Sequence, residues 1–121
     1  MKEVKGNPLA QKSYSFALEI ITNCKLLMNE KREFILSKQL LRSGTSIGAN
    51  IAEANGAIST ADFSAKISIA YKESLETKYW LSLLKDAEYI SLKDFERLQP
   101  LADELSKILF SILKSTRLKK N

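Results

Sequence analysis

Apolar residues return at spacings of three, four and seven along most of the chain, and that period belongs to helices. Leu9, Phe16, Ile20 and Leu27 make one stripe, and Leu40, Gly44, Ile47, Ile51 and Ala54 make a second. Further on, Leu98, Leu101, Leu105, Ile108 and Ile112 repeat at three-four-three-four. Only two prolines and four glycines punctuate 121 residues, too few for a sandwich or barrel of many turn-linked strands. The length suits a single domain, 1–121.

Start and stop signals divide this pattern into four helices. Asn7-Pro8 places a capping side chain before a proline suited to the first helical position. Ser37 is a candidate cap for a second helix, and Asn55-Gly56 ends it with residues that tolerate a left-handed backbone. The third and fourth helices open on one phrase, Ile58-Ser59-Thr60-Ala61-Asp62-Phe63 and Ile90-Ser91-Leu92-Lys93-Asp94-Phe95. In each, serine caps, aspartate reaches back, and the flanking Ile and Phe occupy the positions of a hydrophobic staple. The predicted helices run over about 8–28, 38–55, 60–87 and 92–116. Pro100 should kink the last or restart it near Gln99. Three short connections then impose an all-α, antiparallel up-down-up-down four-helix bundle.

Chemical motifs are few. The chain has no histidine, which removes the commonest general base and metal ligand. Gly44-Thr45-Ser46-Ile47-Gly48 spells G-x-S-x-G, but that motif needs a strand-to-helix turn and a base, and here it lies in a helical repeat. Gly44, Gly48 and Ala52 instead form a ridge of small residues where a backbone can approach closely, within the bundle or between chains. Glu53, Glu73 and Glu76 cannot form a di-iron centre of the bundle type, which needs Glu-x-x-His motifs. Arg42 reads either as a surface charge or as a partner for Glu53. No enzyme activity and no cofactor are expected.

Net charge is +5, concentrated at the ends. Lys2, Lys5 and Lys12 stand against Glu3 at the start; Lys114, Arg117, Lys119 and Lys120 meet no acid at the finish. Such ends either contact phosphate or serve as solubilising termini. With Lys38 and Arg42, the four C-terminal cations are the candidate nucleic-acid contacts. No run of aromatic and basic residues in the sequence forms a stacking platform. Cys24 is alone, no apolar run reaches membrane-spanning length, and Met1-Lys2-Glu3-Val4-Lys5 opens no signal peptide, so a cytoplasmic protein is expected.

The third helix carries a second apolar stripe. Phe63, Ile67, Ala70, Ser74, Thr77, Leu81 and Leu84 face one way, toward the core. Ile69, Trp80, Leu83 and Ala87 gather roughly opposite, as a candidate subunit interface unless the fourth helix wraps over them.

Leu40-Leu41-Arg42-Ser43-Gly44-Thr45-Ser46-Ile47-Gly48-Ala49-Asn50-Ile51-Ala52-Glu53-Ala54, with Glu73-Ser74-Leu75-Glu76-Thr77 and Tyr79-Trp80-Leu81 later, resembles the 23S rRNA-intervening-sequence proteins of bacteria. The likeness spans roughly 9–115. It departs at Gly48, where many members carry proline, and at Ala54, where many carry glycine. The resemblance implies an antiparallel bundle, a homo-oligomeric ring of five subunits and no established enzymatic activity. It also implies a relation in fold to the accessory protein of diversity-generating retroelements, which assists a reverse transcriptase and binds nucleic acid. Two functions follow: an oligomer binding RNA or DNA through basic surface formed on assembly, or an adaptor that binds another protein and no nucleic acid.

Overall fold

In a computed structural model, the structure describes residues 7–120, with side chains described for 7–116. Four helices follow in order: α1 (Pro8–Asn29), α2 (Leu36–Asn55), α3 (Thr60–Asp86) and α4 (Leu92–Lys120). Each packs on its neighbours in sequence, and α1 closes the square against α4 more lightly. This is the all-α up-down-up-down bundle that the short connections require. α4 runs unbroken through Pro100, so the helix does not restart near Gln99.

The helix starts show where local chemistry decides. Asn7 adopts an extended backbone and accepts the Ala10 N–H at 3.0 Å, with Pro8 at the first helical position. Ser59 and Ser91 accept the N–H groups of Asp62 and Asp94, each at 3.0 Å. The second halves of the two phrases diverge. Asp62 reaches back to the Ile58 N–H, whereas the Asp94 carboxylate turns to Arg97. Ile90 is buried and Phe95 packs against the same core, but Ile58 is 94% exposed, so the third helix lacks its staple.

Two further expectations are corrected. Ser37 does not cap α2, which begins a residue earlier. Its hydroxyl donates to the Glu33 carbonyl oxygen at 2.6 Å, and the cap is the Glu33 carboxylate. That carboxylate accepts the N–H groups of Ile35 (3.2 Å), Leu36 (3.0 Å) and Ser37 (2.7 Å). Gly56 ends α2 at φ −103°, and the left-handed positions are instead Arg32 (φ 55°) and Glu88 (φ 66°), in the other two connections.

The core contains Phe16, Ile20 and Leu27 from α1, and Leu40, Ile47, Ile51 and Ala54 from α2, as their spacing required. On α3, Ile67, Ala70, Ser74, Thr77, Leu81 and Leu84 are buried and Phe63 partly so. Thr77 and Ser43 share a buried hydroxyl bond of 3.0 Å between α3 and α2. The α4 stripe is rotated: Leu98, Ala102, Leu105, Leu109 and Leu113 face inward, while Leu101 is 37% exposed. The stripe drawn from the largest side chains is out of phase because the inward line runs through the small Ala102 and not through Leu101. Gly44 and Gly48 do mark a close crossing, between α1 and α2. A Cβ on Gly44 would lie 2.9 Å from Ile20 Cγ2; one on Gly48 would lie 3.4 Å from Ser13 Oγ. Ala52 is exposed and takes no part in it.

Candidate interaction surfaces

Lys38 is exposed near the start of α2, and Arg42 follows one turn later. Arg42 does not point free into solvent. Its guanidinium donates to Glu73 Oε1 and Oε2 (3.2 and 3.3 Å) and to Glu76 Oε1 (2.6 Å), tying α2 to α3. The bond to Glu76 raises Arg42 above its usual range, and the same bond holds Glu76 below the usual carboxylate range. Glu53 takes a different partner, Lys66, at 2.7 Å. Of the two alternatives, Arg42 is a surface charge, paired with Glu73 and Glu76, and the pairing with Glu53 is corrected. A phosphate approaching Arg42 meets two carboxylates, which leaves Lys38 as the unobstructed cation of that pair.

Lys114 is exposed on α4 with its ammonium 5.7 Å from the Phe110 ring centroid. The side chains of Arg117, Lys119 and Lys120 lie outside the described residues. The glutamates tested for metal binding are all in ion pairs. Among the described residues, no group of three or more His, Cys, Asp or Glu is placed to hold a metal ion. Ser46 sits inside α2 and donates its hydroxyl to the Arg42 carbonyl at 2.7 Å, as a serine in a helix does. Cys24 is buried and donates to the Ser37 carbonyl at 3.3 Å. Burial, and secondarily the charge of Glu33, push its thiol up to about 12, so it stays protonated and unreactive.

The apolar face of α3 is open. Ile69 is 42% exposed and Leu83 36%; Ala87, which caps the C-terminal end of α3, is exposed too. α4 does not cover them. Trp80 is partly buried against the core, and its indole N–H donates to Glu76 Oε2 at 3.2 Å. It is therefore held by the Arg42–Glu76 pair rather than left in water. The sequence pattern missed two members of this face, Leu75 (40% exposed) and Tyr79 (59%). They lie beyond the arc that Ile69 and Trp80 define, toward the outermost line of α3. No helix among the described residues is long and apolar enough to cross a membrane.

Four antiparallel helices in this order are common to many proteins, so similarity must decide the family. The model of the 23S rRNA-intervening sequence protein family matches residues 6–111. The chain belongs to that family. Among solved structures, it is similar to a protein with unknown function from the S23 ribosomal protein family of Bacteroides thetaiotaomicron VPI-5482. The two share 51% identity and a TM-score of 0.86, over 88% of this chain and 98% of the other. No curated protein matches.

Proposed function

We propose that this intervening-sequence protein is a non-enzymatic, cytoplasmic homo-oligomer that binds RNA or DNA through basic surface formed on assembly. The observation that carries it is the open face of α3, where Ile69, Leu75, Tyr79 and Leu83 stand exposed together. Exposed apolar side chains gathered on one helix face mark a contact site, and a second copy of the chain carries the same face. The family resemblance leads to a ring of five. Assembly would multiply the cations of each subunit around one axis, which is how a modest charge per chain becomes a phosphate-binding surface.

Sedimentation velocity tests the assembly. The wild type should sediment as an oligomer, and Ile69→Glu with Leu83→Glu should shift it toward monomer at unchanged helix content. These positions are preferred to Trp80, which also supports the monomer's own core. A monomeric wild type would overturn the reading and favour the adaptor, with the α3 face reserved for another protein.

The tail tests the nucleic-acid part. Thr116 is buried, so truncation after it preserves the packed end of α4 while removing Arg117, Lys119 and Lys120. Binding to RNA should weaken, and the salt slope should become shallower by up to about 0.9 per lost phosphate contact. Unchanged affinity and slope would place the contact surface elsewhere.

A further inference from the structure

No aromatic-and-basic run exists in the sequence, yet packing builds one from two helices. α3 and α4 run antiparallel, in register at Lys78–Asp103 and at Tyr71–Phe110. The Tyr71 and Phe110 rings have centroids 5.7 Å apart at 38°, and Phe110 remains 44% exposed. Lys107 and Lys114 stand three residues before and four residues after Phe110 on the same face of α4. Lys114 Nζ lies 5.7 Å from the ring centroid, and the Lys107 side chain is 78% exposed. Lys78 adds a third ammonium from α3. The acid in the cluster is Asp103, which accepts from Lys78 at 2.9 Å and from Lys107 at 3.0 Å. Three cations against one carboxylate leave the rim of the ring pair positive.

We propose that the Tyr71–Phe110 pair, rimmed by Lys78, Lys107 and Lys114, is a stacking platform for single-stranded nucleic acid. This rests on the nucleic-acid reading above and names the form of its ligand. An unpaired base offers a π-face to an exposed ring while flanking ammonium groups meet the phosphates on either side. A duplex keeps its bases stacked on one another and can use only the cations. A protein partner fits less well, because the buried centre of a protein interface is depleted of charge. Tyr71 is about 160° around the helix from Ile69 but only one turn from Leu75, so the platform stays open where copies meet along the Ile69–Leu83 side of the α3 face.

The test is fluorescence anisotropy with two labelled probes, a short oligouridine and a blunt RNA duplex, on the full chain. Phe110→Leu keeps apolar volume and removes the ring. It should weaken oligouridine binding by roughly 5- to 150-fold, the range for losing one stacked base, and leave duplex binding nearly unchanged. Phe110→Trp should restore it. Lys107→Gln with Lys114→Gln should weaken both probes and flatten the single-strand salt slope by about 1.4. A folded Phe110→Leu that binds oligouridine like the wild type overturns the platform alone and leaves the nucleic-acid reading standing. Failure of the wild type to bind either probe overturns both. Ultraviolet crosslinking of wild type to oligouridine gives a readout free of any folding effect. Adducts should map to the peptides holding Tyr71 or Phe110, and adducts confined to other peptides overturn the platform.

Discussion

Glu33→Gln is expected to destabilise the bundle by about 1.5–3 kcal/mol near neutral pH, the range for hydrogen bonds to a charged group. Glu33 is 9% exposed, and its two carboxylate oxygens take three backbone N–H groups at the start of α2. A glutamine keeps one acceptor oxygen and turns an amide donor toward N–H groups that need acceptors. Burial acts to raise the Glu33 pKa, but the bonds from Leu36, Ser37 and Ile35 together outweigh it, and the group is held below its ordinary 4.5. The sign follows from linkage. A lowered folded pKa means the unfolded chain binds the proton more readily, so the contribution is complete above about 4.5 and is lost as pH falls through the folded value. Urea unfolding at neutral pH and again at acid pH checks this. The difference between wild type and Glu33→Gln should be large at neutral pH and shrink in acid. A difference that is the same at both would trace the loss to packing and not to charge.

Glu33 also shows where sequence reading stops. It closes a charged stretch, Asn29-Glu30-Lys31-Arg32-Glu33, between the first two apolar stripes, and nothing in the composition separates the buried acid from its exposed neighbours. The signal available was the position of Glu33 just ahead of the α2 stripe, where an acid favours the positive end of a helix. Legible in the sequence were the caps at Asn7, Ser59 and Ser91, each a side chain meeting the N–H three residues on, and the inward stripes of α1, α2 and α3. Features decided by which helix lies alongside were not. Arg42 could have faced Glu53 on its own helix, and only the α2–α3 crossing brings Glu73 and Glu76 to it. The staple at Ile58 fails for the same reason, since no neighbouring surface reaches it. Tyr71 and Phe110 are 39 residues apart, so no local pattern joins them. The α4 stripe failed more subtly. Its period was right, but its phase depends on which side of Leu98 the other helices occupy.

The two helical glycines of α2 should respond to alanine with opposite signs. Alanine is the better helix former by about 1 kcal/mol, so each substitution begins with a gain. At Gly44 the new Cβ would stand 2.9 Å from Ile20 Cγ2 and 3.0 Å from Cγ1. Ile20 is wholly buried and β-branched, hence confined at χ1, and cannot swing aside. Either α1 moves away from α2 or the side chain leaves its rotamer, and overpacking of this kind costs about 1–3 kcal/mol. The net expectation for Gly44→Ala is a loss of up to about 2 kcal/mol. At Gly48 the nearest atom is Ser13 Oγ at 3.4 Å, an ordinary contact. Gly48→Ala should therefore be neutral or stabilising by up to about 1 kcal/mol. Denaturant midpoints of the two variants measure both signs. A cycle with Ile20→Ala locates the cause: alone it should cost about 2–5 kcal/mol by opening a cavity. Combined with Gly44→Ala it should cost less than the sum of the two single losses, because the added methyl then enters the space that Ile20 vacated. Additive losses would mean that Gly44 is required for some reason other than the approach of Ile20.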